Sequence, residues 1–432
     1  MKRWRIDGRI SRRSLIALLA VSLSILALER PAVARAAPKP RAAWSQAKLD
    51  RVGAYIENEI QSAHIPGAVI LIQQHGKPVY FRMFGVRDII ERHPMTPDTI
   101  FRLYSMSKPI TSAAVMMLID DGKLRLGDPV AKYIPAFAKT RVGIDGTEGN
   151  GQPTLRLELP DRPITIRDLL LHTSGITYGF YGADPARQRY SELDLVVEDW
   201  DNAEFADRVA KLPLAEQPGT LWDYGHSTDV LGRVVEVVSG QSLYQFEKQR
   251  LLDPLGMRDT SFYVTDKTKW PRIAQPMPDD RLIAPFVPIT DPTKVRRWES
   301  GGGGMVGTVG DYAKFCQMML NGGILNGRRY LHRKTVAAMV RDHIGPGSGI
   351  KRDYYYFPGD GFGFGYGFAV RTKLLAERAG PLGEYRWDGV GGTFFWVDPK
   401  DDMFVVFMVQ TPNERGRIQQ DLRQLIYDAL RR

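Results

Sequence analysis

Strand signals sit at the two ends of this chain and helical ones between them, so distant segments must share a sheet. AVILIQQHGKPVYFRMFGV (68–86) holds two β-rich runs around His75-Gly76, the pattern of a hairpin. Comparable signals do not return until GFGFGYGFAV (361–370), YRWDG (385–389), TFFWVDP (393–399) and MFVVFMVQ (403–410), each read as a strand. Residues 45–62 form an amphipathic helical pattern, with Leu49, Val52, Tyr55, Ile56 and Ile60 on one face. Further helical patterns lie at 168–175, ending in a turn, and at 228–240, 242–256, 310–321, 333–342 and 415–431. The Gly- and polar-rich stretch 141–162 reads as loop, and Gly301–Gly304 marks a change of organisation. The order predicts one sheet built from both chain ends (45–125 and 300–432), with a mainly helical domain (126–299) inserted.

The formal charge of +10 over 432 residues looks like a nucleic-acid signal until it is located. Residues 1–36 carry eight Lys or Arg and two acids, so the remaining chain has 51 basic against 47 acidic groups. Most of the basicity thus belongs to that segment, and nucleic-acid binding loses its main support. The same segment has the layout of an export signal. Basic residues precede the apolar run LIALLAVSLSILAL (15–28), and AVARAA (32–37) offers a cleavage point before Ala37. Ser11-Arg12-Arg13-Ser14-Leu15 resembles a twin-arginine signal. The run is short of the ~20 residues a membrane span needs, so a periplasmic or secreted protein without a stable span is expected, with 37–44 as a leader. Cys316 is the only cysteine, which rules out an intramolecular disulfide, and its apolar helical setting reads as buried and structural. No H-E-x-x-H or C-x-x-C occurs, so neither a metal nor another cofactor is expected.

Chemistry concentrates at Ser105 and Lys108 in FRLYSMSKPITSAAVMML (101–118). Residues three apart on a helix share a face. A serine hydroxyl needs an adjacent base to act as a nucleophile. Lys108 can be that base or its helper only if burial or a neighbouring cation lowers its pKa; otherwise the two are a solvated pair in an ordinary helix. A serine at a helix N-terminus would also meet free N–H groups suited to developing negative charge. A third group must pass protons to the leaving group. Tyr224, in PGTLWDYGHSTDVLG (218–232), follows a Pro-Gly turn and precedes a helix, and flanking cations would lower its pKa. His226 reads equally as a substrate-side donor or a helix-entry residue. Trp387-Asp388-Gly389 supplies a glycine through which a strand backbone can approach substrate. The Val390 N–H would then join that of Ser105 as an oxyanion hole; the bland alternative is a tight bend with Trp387 as core filler.

Taken together, Ser105-Met106-Ser107-Lys108, Tyr224-Gly225-His226 and Trp387-Asp388-Gly389 resemble, in order and context, the class C β-lactamase and penicillin-binding-protein-like serine hydrolases. IFRLYSMSKPIT, HTSGITYGF, QPGTLWDYGHSTDVLG, ESGGGGMVGTVGDYAKF and FFWVDP extend the resemblance over about residues 45–425. It implies an α/β (α+β) fold, an antiparallel sheet flanked by helices plus an all-helical domain, with the site between them. It further implies Ser105 as acylated nucleophile, Lys108 as its base partner, Tyr224 as donor to the leaving group and Val390 N–H in the oxyanion hole. Two departures stand out. His226 replaces the family's usual asparagine, and Trp387 replaces a Lys or His that would pair with a substrate carboxylate. Tryptophan offers a flat apolar wall instead. Both departures point to the family VIII esterase branch, and hence to a small-molecule carboxylic ester as substrate. A D-Ala-D-Ala carboxypeptidase or β-lactamase using the same residues is the alternative, with Arg386 or Arg296-Arg297 as substitute cations. A non-catalytic penicillin-recognising protein is a third reading, against which the intact trio speaks.

Overall fold

The structure is a computed structural model that describes residues 43–431, apart from 148, 150–152, 183, 194–198, 281, 285 and 286. The export signal and most of the leader lie outside the described residues. Eight strands form the main sheet: β1 (Gly67–Gln74), β2 (Lys77–Asp88), β3 (His93–Pro94), β4 (Phe362–Phe364), β5 (Ala369–Arg371), β6 (Tyr385–Asp388), β7 (Phe394–Asp398) and β8 (Met403–Met408). Their order is β4-β5-β6-β7-β8-β1-β2-β3, antiparallel throughout. The two chain ends meet where β8 pairs β1, from Met403 opposite Gln74 to Met408 opposite Val69. The β1–β2 hairpin closes through His75 and Gly76, both at positive φ (52° and 72°), the two-residue turn whose twist matches that of the strands.

Period-two alternation along these strands sorts side chains onto two faces. Ile70, Ile72, Trp396, Val405 and Phe407 pack against α1 (Gln46–Gln61) and the C-terminal helix α5 (Arg415–Ala429). Val69, Leu71, Phe395, Phe404 and Val406 join a larger core with α2 (Ser107–Asp120), α3 (Ser227–Ser239) and α4 (Val309–Leu320). That core runs unbroken from the sheet into the segment read as a helical insertion, and the described residues form one compact unit. Every residue of α2 from Ser107 to Leu118 is buried. A helix apolar on all sides belongs at the centre of a protein, so any charge on it is desolvated. Cys316 sits buried on α4.

Three stretches differ from the sequence reading. The loop expected at 141–162 contains a hairpin, Val142–Thr147 paired with Pro153–Glu158. Its second strand carries the alternation Thr-Leu-Arg-Leu-Glu, masked by the glycines around it. The single strand expected at 361–370 is instead the β4–β5 hairpin, turning through 365–368 with Gly367 at φ 92°. The leader's last two residues, Ala43–Trp44, pair with Leu430–Arg431, and the Trp44 indole donates to Gln74 Oε1 at 2.8 Å. None of the described helices is long and apolar enough to cross a membrane.

Candidate active site

Ser105 lies not in α2 itself but in the 3-10 turn Tyr104–Met106 that feeds it. Tyr104 has φ +46°, a left-handed conformation costly for a residue with a Cβ. Packing holds it there. A Cβ on Gly389 would stand 2.3 Å from the Leu103 carbonyl, and one on Gly391 would stand 2.6 Å from the Tyr104 ring. The two glycines therefore let the end of β6 close on the turn that presents Ser105. The Val390 N–H between them has no partner among the described residues, and the first turn leaves the Ser105 N–H outside the helical ladder. Two free donors thus belong to the two segments that Gly389 and Gly391 bring together.

Lys108 is 2% exposed, and its ammonium nitrogen has three neighbours: Gly302 O at 2.6 Å, Tyr178 OH at 3.0 Å and Ser105 Oγ at 3.2 Å. Burial lowers its pKa to about 8, with the charges of Asp229 and Asp388 acting the other way. A neutral amine has two hydrogens and one lone pair. Donating to Gly302 O and Tyr178 OH aims the lone pair at the Ser105 hydroxyl, as a base requires.

Tyr224 is buried above Lys108, whose nitrogen lies 4.6 Å from the ring centroid. The sequence reading expected nearby cations to lower its pKa, but the structure reverses that direction. Burial raises it, and hydrogen bonds from Ser105 and Trp387 only oppose the rise. Tyr224 is therefore a neutral phenol, suited to giving a proton. Trp387 is 4% exposed and packs against Tyr224 and Phe364, both centroids 5.4 Å away. Its indole N–H points at the Tyr224 oxygen, 3.3 Å away, so the residue is a donor to the tyrosine as well as a wall.

His226 is buried at the start of α3, with Nδ1 3.0 Å from Asp229 Oδ2 and its ring edge-on to Tyr178, centroids 4.4 Å apart. Asp229 Oδ1 accepts from Gly302 N at 3.0 Å and from Ser300 Oγ. Burial opposes the Asp229 charge, yet the bond to His226 and the nearby cations hold its pKa below the usual carboxylate range. His226 and Asp229 thus fix the Gly302 carbonyl that receives Lys108. Arg386 alternates with Trp387 along β6 and lies on the opposite face, beside Asp388 (3.3 Å), Pro358 O (3.1 Å) and the Phe362 ring. Arg297 is tied to Asp201 and Glu204.

The structure brings Ser105, Lys108, Tyr224, Trp387, Gly389 and Val390 together, with His226 one layer behind. Sequence reasoning missed Tyr178, Asp229 and Gly302. Tyr178 stands inside the HTSGITYGF phrase and Gly302 inside the four-glycine run, so their positions were flagged while their roles were not. Among the described residues no group of three His, Cys, Asp or Glu side chains could hold a metal.

The profile of the Beta-lactamase family matches residues 52–428. The chain belongs to that family. It is a serine hydrolase on the branch that includes the family VIII esterases. Protein Rv1367c of Mycobacterium tuberculosis is 34% identical over 84% of this chain and 90% of its own. Esterase EstB of Burkholderia gladioli is 31% identical, over 87% of this chain and 94% of its own. In three dimensions the chain is similar to EstCE1, a hydrolase with promiscuous acyltransferase activity. The TM-score is 0.73 at 28% identity, covering 88% of this chain and 99% of the other.

Proposed function

We propose that this serine hydrolase is an exported carboxylesterase that forms an acyl-enzyme on Ser105. The observation that carries the reading is the Lys108 nitrogen 3.2 Å from Ser105 Oγ, in surroundings that lower its pKa to about 8. Lys108 takes the Ser105 proton as Oγ attacks the ester carbonyl, and the tetrahedral oxyanion forms between the Ser105 and Val390 N–H groups. Tyr224, neutral and within reach of Ser105, protonates the departing alkoxide. Lys108, recharged by the first step, restores that proton to the tyrosine. Water then repeats the sequence on the acyl group.

Ester rather than β-lactam chemistry is favoured by where the cations lie. A carboxylate entering a desolvated cleft without a partner suffers a desolvation penalty that a neutral ester avoids. Trp387 fills the position where the resemblance to β-lactamases implies a Lys or His, and Arg386 and Arg297 are engaged elsewhere. EstB and EstCE1, described as an esterase and a hydrolase, agree with this reading. Export rests on the N-terminal segment alone. The test is a fluorophosphonate label read by intact mass together with a panel of p-nitrophenyl butyrate, nitrocefin and a D-Ala-D-Ala peptide. The expected result is one adduct, lost in Ser105→Ala, and ester turnover well above the other two. An adduct surviving Ser105→Ala, or nitrocefin turnover rivalling the ester, would overturn it.

A further inference from the structure

Five aromatic rings run from the reactive serine to the protein surface in continuous contact. Tyr178 and Tyr224, beside Lys108 and Ser105, have centroids 5.4 Å apart. From Tyr178 the rings pass to Phe180 (4.8 Å), Tyr181 (5.4 Å) and Phe357 (5.3 Å), and return to Tyr224 (5.5 Å). Tyr224 is buried and Tyr178 and Tyr181 are half-buried, whereas Phe180 is 56% exposed and Phe357 51%. Two half-exposed phenylalanines forgo much of the free energy that burial would give them. A contiguous apolar surface of this kind at the edge of a reactive site marks a place where something apolar binds.

The surface is held in place from below. Arg187 is 4% exposed and spans the two segments that carry the rings. Its guanidinium donates to Asp223 Oδ1 (2.7 Å) and Thr177 Oγ1 (2.9 Å), and pairs with Asp184 (2.8 Å). It also lies 5.5 Å from the Tyr181 ring centroid and 5.4 Å from that of Tyr355. Tyr181 adds its own bond to Asp223, at 2.9 Å. Rings fixed before the ligand arrives lose little freedom on binding, which strengthens their contribution.

The side of the ester they serve follows from Tyr224, in a step that rests on the ester-hydrolysis reading above. A group that protonates the departing oxygen stands on the leaving-group side of the scissile bond. The rings that continue outward from Tyr224 therefore border the alcohol half of the substrate, not the acyl half. Their edges and faces suit a flat ring at the 4.5–7 Å centroid spacing that aromatic pairs adopt. We propose that Phe180, Tyr181 and Phe357 form the subsite for the alcohol half of the ester, and that it selects alcohols carrying a planar aromatic group.

The test compares kcat/KM for 2-naphthylmethyl acetate and ethyl acetate, followed by pH-stat, in the unmodified protein, Phe180→Ala, Phe357→Ala and the double variant. The expected result is a preference for the naphthylmethyl ester that each substitution cuts by about tenfold, with Phe357→Trp restoring it. A preference that survives the double substitution would overturn the proposal. So would an equal loss when the naphthyl group is moved to the acyl side, as ethyl 2-naphthoate. Calorimetry of 2-naphthylmethanol with the Ser105→Ala protein tests the subsite without catalysis. Binding weakened about tenfold by Phe357→Ala supports it, and absence of binding refutes it. Should the unmodified protein leave every ester intact, the esterase reading fails, while the calorimetry still decides the subsite.

Discussion

Lys108 ties activity and stability to the same proton. Burial takes its pKa from 10.5 to about 8. In the proposed mechanism the base form is the active one, so kcat/KM for a neutral ester should rise with pH through a midpoint near 8. Because Tyr224 titrates above the usual tyrosine range, that rise should level off with no fall through pH 10. Folding carries the cost. With the folded pKa below the unfolded one, the unfolded chain binds more protons, and stability climbs with pH across the interval from 8 to 10.5. The penalty for burying the ammonium is on the order of 3 kcal/mol at pH 7 and about 1.4 kcal/mol at pH 9.5. Lys108→Met removes the titration, although it leaves Gly302 O and Tyr178 OH without a donor, which costs ~1–3 kcal/mol at any pH. The pH dependence isolates the proton from that constant loss. Relative to the unmodified protein, Lys108→Met should lose about 2 kcal/mol of its standing between pH 7 and 9.5 in urea unfolding. A stability difference that stays flat across this interval, or an activity midpoint near 10.5, would refute the idea that Lys108 is a desolvated base.

Other residues give independent checks. Tyr224→Phe should lower kcat by about 10²–10⁴-fold if the phenol is the proton donor, and a stopped-flow trace showing normal alcohol release would remove it from that role. Trp387→Phe deletes the donor to the Tyr224 oxygen and should cost roughly tenfold in kcat/KM, a loss that an intact rate would contradict. Gly389→Ala would force a Cβ to 2.3 Å from the Leu103 carbonyl, so both stability (~1–3 kcal/mol, by thermal unfolding) and labelling of Ser105 should fall. N-terminal sequencing of the exported protein should begin near Ala37, and normal export of an Arg12→Lys, Arg13→Lys variant would remove the twin-arginine assignment.

Local chemistry in the chain determined much of this protein by itself. The Ser105–Lys108 spacing, the His75-Gly76 turn and the apolar faces of α1 and α4 follow from periodicity and turn propensity, interactions between residues a few positions apart. Nearest-neighbour patterns also separated the strand-rich ends from the helical middle, although glycines hid the hairpin at 142–158 and the turn that splits 361–370. Tertiary structure decided what depends on burial and on distant partners. The direction of the Tyr224 pKa is one case, because desolvation by surrounding elements outweighs the hydrogen bonds from Ser105 and Trp387 that lower it. His226 is another, buried with Nδ1 on Asp229, which in turn holds Gly302. Trp387 reads from sequence as an apolar wall or as core filler, whereas in the fold its indole reaches a tyrosine 163 positions away. Pairing β8 with β1 brings residues over 300 positions apart into register. Such contacts are selected by the packing of the whole core, and no short window of sequence contains them.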